Sequence, residues 1–206
     1  MAKKNSKYQF FVVTGNPNKA KNALNTMTKV FNNVRHYHLD LPEIQSLDLE
    51  EIVRHKLQFA LENFRAEITD AEELKKSILI VEDISLEFKA MGKLPGTFVK
   101  FFVKELGLEK MCRLPNGFKE CDRDAKVKCV VGVVKANEAT IDKANFFTSE
   151  VTGSISDKPL GKGGFGFDAV FIPDGFNNKT AGELDDNEYA EYFALIRKYD
   201  VLAKII

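Results

Sequence analysis

The order of apolar patterns in the first third of the chain restricts the fold to one class. Tyr8 to Thr14 is a short apolar run that ends in a Gly-Asn-Pro turn at residues 15–17. After this turn, apolar residues recur at helical spacing, and the same succession of strand and helix is repeated between Val34 and Phe64. Alternating strands and helices form parallel sheets covered by helices. The pattern therefore predicts an α/β fold.

Later segments indicate a mixed central sheet. Ile78 to Val81 is typical of a buried central strand, which we expect to end at Glu82-Asp83. Two strand patterns between Lys126 and Val151 follow each other without a helix, and the last helix is predicted from Asn187 to Ile206. No linker or internal repeat interrupts the sequence. We therefore expect residues 1–206 to form a single domain.

Charge and cysteine usage limit the partners and the compartment. Thirty basic residues balance thirty acidic ones, so no global positive field attracts nucleic acid or an anionic membrane. The apolar run Phe10 to Val13 is too short for a signal peptide or a membrane span. Cys112, Cys121 and Cys129 lack Cys-x-x-Cys spacing, which indicates reduced thiols. We expect a cytoplasmic protein that binds neither nucleic acid nor membranes.

The turn after the first predicted strand is a candidate anion site. Thr14-Gly15-Asn16 leads into a helix N-terminus, where backbone N–H groups and the helix dipole favour an anion. Lys19 adds a positive charge beside them. The same segment also fits a plain turn with a helix N-cap, and taken alone it favours that interpretation.

Acidic residues follow the second and third predicted strands. Glu43 lies in Asp40-Leu41-Pro42-Glu43, and Glu82-Asp83 follow the central strand. The carboxyl ends of parallel strands meet at one edge of a sheet, where ligands bind. Mg²⁺ prefers such oxygen ligands, although a single Asp at a strand end is often only a turn former. The clustering of the carboxylates predicts a magnesium site.

The glycine-rich loop at residues 161–166 leads into Phe165-Gly166-Phe167-Asp168. Aromatic rings there would suit stacking on a flat base, and the carboxylate could accept hydrogen bonds from ring N–H groups. With seventeen phenylalanines in the chain, core packing of these two is the competing interpretation.

Five segments, taken in order, resemble the inosine triphosphate pyrophosphatase family. Each is weak alone, but five in the family's order and at similar spacing would seldom coincide by chance. The resemblance runs from about Tyr8 to Glu183. The segments are Thr14-Gly15-Asn16 with Lys19, Asp40 to Gln45, Val81-Glu82-Asp83, Leu94-Pro95-Gly96 and Phe165 to Asp168.

The resemblance implies a homodimer of two-lobed α/β chains with a cleft between the lobes. The cleft would hydrolyse nucleoside triphosphates, such as those of the deaminated purines inosine and xanthosine (ITP and XTP), to monophosphate and pyrophosphate. It also implies Mg²⁺ bound by Glu43 and Asp83, and catalysis by Asp83, Lys19 and Glu82, with either carboxylate as the base. The implied substrate-binding residues are Thr14, Gly15, Asn16, Lys19, Lys56, Lys100, Phe165, Gly166, Phe167 and Asp168.

The sequence departs from the family pattern after Lys179-Thr180. The family usually has a Ser-His-Arg segment whose donors read the 6-oxo group of the purine. Counted without gaps, these positions fall on Phe193-Ala194-Leu195, which carry no side-chain donor, and Arg197 would compensate only after a register shift. The acidic residues of this region fit either helix N-terminal charge or ligand contact. We expect relaxed or altered base selectivity.

Two alternatives remain open at this stage. The first is a nucleotide-binding or interaction protein of the same fold that has lost turnover, which the missing Ser-His-Arg segment favours. The second is a pyrophosphatase of pyrimidine or modified nucleotides, which would keep the chemistry and change the base.

Overall fold

The computed structural model of the protein describes residues 6–118 and 122–204, so Cys121 lies outside the described residues. Within these ranges the chain forms seven strands and five α-helices, connected by turns and short 3-10 segments. In chain order they are β1 (Gln9–Val13), α1 (Pro17–Met27), β2 (Val34–Tyr37), α2 (Leu49–Glu67), α3 (Ala71–Lys76), β3 (Ser77–Phe88), β4 (Pro95–Gly96), α4 (Val99–Arg113), β5 (Asp124–Lys135), β6 (Asn145–Ile155), β7 (Phe171–Pro173) and α5 (Asp186–Ile196).

The strands pair in the order β2-β1-β3-β5-β6-β7, with β4 added to β3. β1 is parallel to both β2 and β3, whereas β4 is antiparallel to β3 and β7 is antiparallel to β6. The predicted α/β class with a mixed sheet is therefore confirmed. By its contacts the chain divides into two compact units, which are described separately below.

The first unit takes in the described parts of residues 1–83, 130–148 and 198–206. Its core lies where the apolar stripe of α2 packs against β1, β3 and the end of β5. Asp48 caps α2, since its carboxylate accepts hydrogen bonds from the backbone N–H groups of Glu50 and Glu51. The predicted start of this helix near Asp48 is confirmed.

The second unit takes in the described parts of residues 84–129 and 149–197. Its core includes the apolar side of β5 and an aromatic group around Tyr192, which contacts Phe171, Phe176 and Tyr189 through their rings. Arg123 donates hydrogen bonds to three carbonyl oxygens in two separated segments, those of Cys112 and of Ile155-Ser156, and so ties this unit together.

The sequence predicted that the central strand ends at Glu82-Asp83, and this prediction was wrong. β3 continues to Phe88, and its second half pairs with β4 through Leu86 opposite Gly96. Two acidic residues interrupt the apolar run without ending the strand, because lysine side chains neutralise them there. Asp83 lies three residues beyond Ile80, which pairs with Val12, whereas β1 ends at Val13. The acidic pair therefore lies just past the carboxyl end of β1.

The prediction for the last helix was also wrong in its extent. α5 ends at Ile196, and Arg197 adopts φ −109° and ψ 58°, outside the helical region. A 3-10 segment follows at Tyr199–Lys204. The periodic pattern looked continuous because Tyr199 and Leu202 are also buried, although residues from 198 onward belong to the first unit.

Two helices went unpredicted. α3 lies in the polar stretch before β3, and α4 follows the Leu94-Pro95-Gly96 segment and is kinked at Gly107. α4 shows no simple amphipathic period because the kink changes the face that each apolar residue presents. None of the helices in the described ranges combines the length and apolarity needed to cross a membrane.

Candidate active site

The turn between β1 and α1 is held by its own side chains. Thr14 Oγ1 accepts a hydrogen bond from the Asn16 backbone N–H at 3.1 Å. Asn16 Oδ1 accepts from the N–H groups of Asn18 and Lys19 at 3.0 and 3.2 Å, and Pro17 occupies the first helical turn. The N-cap interpretation of this segment is confirmed. Its phosphate-binding role stays a prediction.

Gly15 lies close to the side chain of Asp40 at this turn. A Cβ atom on Gly15 would overlap the side chain of Asp40, which follows β2 along the chain. His36 Nε2 lies 2.8 Å from the Thr14 carbonyl oxygen and holds the same turn from β2. The sequence analysis assigned Asp40 no role of its own, although its position at the end of the second predicted strand was the available signal.

Two lysines and three carboxylates converge beside this turn. Lys56 is only 4% exposed, because it lies in the apolar stripe of α2. A buried ammonium is stable only when carboxylates or other acceptors pair with it. The contacts are Lys56 Nζ to Asp83 Oδ2 at 2.5 Å, Lys56 Nζ to Glu43 Oε1 at 2.9 Å, Lys19 Nζ to Asp83 Oδ1 at 3.0 Å and Lys19 Nζ to Glu82 Oε1 at 3.4 Å.

Asp83 is the centre of this cluster, since each of its oxygens contacts a different lysine. Burial by itself would raise the pKa of Asp83. The charges and hydrogen bonds of Lys19 and Lys56 outweigh burial and hold the pKa of Asp83 well below its usual range. Asp83 is therefore ionised throughout the neutral pH range.

The carboxylates of this cluster fit Mg²⁺ by their chemistry. Within residues 6–118 and 122–204, no group of three or more His, Cys, Asp or Glu side chains forms a ready metal cage. Mg²⁺ usually takes only one or two carboxylates and completes its shell with phosphate oxygens and water. Glu43 and Asp83 are two carboxylates close enough together to serve as such ligands. Both contact the Lys56 ammonium, so the two carboxylates already hold one cation between them.

In the second unit, the predicted base loop is built around Asp168. Its Oδ2 atom accepts hydrogen bonds from the Phe165 backbone N–H and from the Tyr189 hydroxyl, each at 2.8 Å. Phe167 is 5% exposed, which agrees with the core interpretation for this ring, whereas Phe165 is half-buried. The sequence analysis did not identify Tyr189 as a candidate site residue.

The acidic run before α5 forms a helix cap. Asp185 accepts from the N–H groups of Asn187 and Glu188, and the Glu188 side chain returns to the Asp185 N–H. Lys179 forms an ion pair with Glu188 at 2.9 Å. The interpretation of these residues as N-terminal helix charge is confirmed for Asp185 and Glu188.

One face of α5 carries Tyr189 and Phe193, which are four residues apart, and Arg197 follows just beyond the end of the helix. Arg197 is buried, and its guanidinium carbon lies 4.1 Å from the centre of the Phe193 ring. The capping pattern at residues 185–188 was the signal that could have placed this face, because it sets where the helix begins.

The predicted site residues thus fall into two groups. The first unit brings Lys19, Lys56, Glu43, Glu82 and Asp83 into contact beside the Thr14–Asn16 turn. The second unit contains the Phe165–Asp168 loop, and it carries Lys100 as an exposed residue at the start of α4. The substrate-binding role of Lys100 stays a prediction.

Three comparisons place this chain among known proteins. It is 33% identical to inosine triphosphate pyrophosphatase 1 of Trypanosoma cruzi, over 89% of this chain and 84% of that protein. It is 32% identical to the dITP/XTP pyrophosphatase of Ignicoccus hospitalis, over 85% of each. The Ham1 protein structure of Staphylococcus aureus matches with a TM-score of 0.68 and 19% identity, over 95% of this chain and 98% of that one, which shows a shared fold.

These similarities agree with a match to a family pattern that covers most of the chain. The matched stretch runs from residue 10 to residue 192 and includes the β1–α1 turn, the ionic cluster and the Phe165–Asp168 loop. The chain belongs to the Ham1 family.

Proposed function

We propose that this protein hydrolyses nucleoside triphosphates to the monophosphate and pyrophosphate, with the ionic cluster around Asp83 as its phosphate site. The observation that carries the proposal is the convergence of Lys19 and Lys56 on one carboxylate beside a helix N-terminus. Relatives at about a third identity over most of the chain are named as inosine triphosphate or dITP/XTP pyrophosphatases. ITP and XTP are accordingly the proposed substrates.

The two lysines take different parts in this proposal. Lys19 lies at the start of α1, and its side chain is 17% exposed, so it can turn toward a triphosphate. Lys56 is more deeply buried and keeps Glu43 and Asp83 close together. Thr14, Gly15 and Asn16 shape the turn against which the phosphates would lie.

Substrate binding would strengthen Asp83 as a base. In the free protein its low pKa, which two lysines maintain, makes it a weak proton acceptor. When Lys19 turns to a phosphate, Asp83 loses one of the two lysines that lower its pKa, and this loss by itself raises the pKa. Asp83 can then accept the proton of the attacking water, while Glu82, which also contacts Lys19, is the alternative base.

Glu43 and Asp83 would hold Mg²⁺, which when bound offsets negative charge on the pyrophosphate leaving group. The phosphate oxygens of the substrate would complete its ligands, since the cluster itself supplies only carboxylates.

The test is pyrophosphate release from ITP, XTP, ATP, GTP, CTP and UTP with Mg²⁺. We expect release by the wild type and a loss of at least about 100-fold in Asp83→Asn, in line with the removal of an essential charged group. Asp124→Asn is the matched control, because Asp124 also forms a lysine ion pair but is exposed and lies in the second unit. Absence of release from every triphosphate would overturn the proposal.

A binding protein without turnover is the second candidate. The specific observation in its favour is that Phe193 is buried and Ala194 and Leu195 carry no donor, where the family usually places Ser-His-Arg. Stabilisation of the protein by nucleotide, measured as a rise in Tm without product formation, would support this candidate over the enzyme.

The homodimer is part of the same proposal. Phe101 on α4 is 54% exposed, and Phe118, beyond the helix, is 42% exposed, so apolar rings of the second unit are available to a partner. The mass in solution, from light scattering, should be twice that of the chain and should fall in Phe101→Glu. A cytoplasmic location is also proposed, supported by Cys112 and Cys129, which are buried as thiols rather than joined in disulfides.

A further inference from the structure

We propose that Tyr189 selects the base, by accepting a hydrogen bond from a ring N–H group of the nucleotide while its own proton is committed to Asp168. The ligand class is a nucleobase with an N–H next to a carbonyl, as in hypoxanthine, xanthine, guanine and uracil. The inference rests on the proposed function only in that a nucleotide base lies against the Phe165–Asp168 loop.

The geometry fixes the direction of the hydrogen bond between Tyr189 and Asp168. Asp168 Oδ2 already accepts from the Phe165 N–H, and the Tyr189 hydroxyl reaches the same oxygen at 2.8 Å. With Asp168 ionised, the carboxylate has no proton to donate, and the phenol is the donor. The bond is held firmly, because Asp168 is buried and its backbone carbonyl accepts from Gly182 N–H at 2.9 Å.

The electrostatics of the cluster agree with this assignment of the proton. Burial, and then the charge and hydrogen bond of Asp168, raise the pKa of Tyr189, so the phenol keeps its proton. The pKa of Asp168 is raised above its usual range, because burial outweighs the Phe165 N–H, the Tyr189 hydroxyl and the charge of Arg197, which all lower it. Arg197 follows directly after the helix that carries Tyr189 and is buried.

A phenol in this state offers a ligand only its oxygen lone pairs. A ring N–H can donate to them, as N1–H of 6-oxopurines and N3–H of uracil do. Adenine N1 and cytosine N3 would instead bring a lone pair against a lone pair and leave a polar group without a partner. Sites that require a hydrogen bond reject analogues that cannot make it. Tyr189 is half-buried, so a ligand can reach it.

This arrangement would replace the donors that the chain lacks at Phe193-Ala194-Leu195. The Tyr189 oxygen would accept a hydrogen bond from the ring N–H of the base, whereas the Ser-His-Arg donors of the family would donate to the neighbouring carbonyl oxygen. The selection applies to either ring size, so uridine nucleotides are expected among the ligands as well as 6-oxopurines.

The experiment measures binding of IMP, XMP, UMP, AMP and CMP by calorimetry, together with pyrophosphate release from the corresponding triphosphates. In the wild type we expect IMP to bind at least about tenfold more tightly than AMP, the worth of one hydrogen bond. In Tyr189→Phe this ratio should fall to near one. In Asp168→Asn the new amide can donate to Tyr189 and free its proton, so preference should shift toward AMP and CMP.

Tyr192→Phe is the matched control, since Tyr192 lies on the same helix and its buried hydroxyl has no hydrogen-bond partner among the described residues. Its IMP-to-AMP ratio should equal that of the wild type. Tighter binding of IMP than AMP, together with tighter binding of UMP than CMP, supports selection by N–H. An unchanged ratio in Tyr189→Phe, or a wild-type preference for AMP, overturns the inference.

Failure of the inference and failure of the proposed function give different results. If the preference for IMP over AMP is lost in Tyr189→Phe and the wild type releases no pyrophosphate from any triphosphate, the inference is supported and the proposed enzymatic function is overturned. Pyrophosphate release with an unchanged ratio in Tyr189→Phe would overturn the inference and leave the enzyme standing.

Discussion

The ammonium of Lys56 lies 2.5 Å from Asp83 Oδ2, in the buried stripe of a helix that otherwise presents apolar side chains to the core. A cation at such a position would destabilise the fold without its carboxylates. The stability of the first unit and the chemistry of the proposed site therefore depend on the same pair of residues.

Lys56→Met should separate these two contributions. At pH 7 we expect the free energy of unfolding to fall by about 2–3 kcal/mol, below the usual loss for a broken buried pair because Lys19 still contacts Asp83. The pair stabilises the protein above the unfolded pKa of Asp, about 3.9, and this contribution is lost as pH falls toward the lower folded pKa. Urea unfolding should therefore show a smaller stability difference between the wild type and Lys56→Met at pH 3.5 than at pH 7. An equal difference at the two pH values would contradict this prediction.

Lys19→Met should weaken substrate binding more than it weakens the fold. Removal of one charge-assisted contact to a phosphate is expected to raise KM about 10- to 100-fold. Lys75→Met is a suitable control, because Lys75 also pairs with a carboxylate but is exposed on α3. Steady-state kinetics with Mg²⁺ and ITP measure the change. A KM equal to that of the control would argue against phosphate contact by Lys19.

Gly161→Ala should destabilise the second unit severely. Gly161 has φ +81°, and a Cβ there would overlap the backbone of Gly182, which cannot move away as a side-chain tip can. We expect a loss of more than about 2 kcal/mol, as backbone strain and a steric clash add. Gly175→Ala shares the left-handed backbone at φ +88° but meets nothing within 4 Å. Thermal unfolding should show a smaller loss in that control, of about 1–2 kcal/mol.

Tyr189→Phe and Tyr192→Phe should change stability in different ways. Tyr189→Phe removes a hydrogen bond to a buried carboxylate, which is expected to cost about 1.5–3 kcal/mol. Tyr192→Phe removes a buried hydroxyl that has no partner among the described residues, so stability should stay equal or rise by up to about 1 kcal/mol. Denaturant titrations of both variants measure this contrast, and similar losses would contradict it.

Local patterns in the sequence correctly predicted helix α2, which packs within one core. The stripe of α2 and its cap at Asp48 follow from helical periodicity and capping chemistry alone, and both agree with the structure. The bounds of β3 and of the last helix were wrong because the apolar patterns there pass from one unit to the other. β3 passes from the first unit to the second at Asp83, and the apolar pattern after α5 belongs to the first unit again.

The sequence by itself determined the residue types of the candidate site and their order along the chain, because glycine turns, buried strands and caps are local features. Only the tertiary structure decided which charges meet. Lys19, Lys56 and Asp83 are far apart in sequence, and their contacts depend on how α1 and α2 pack beside β3. The bond between Tyr189 and Asp168 likewise spans 21 residues. Side-chain pairing over such separations follows from packing geometry, which no local pattern encodes.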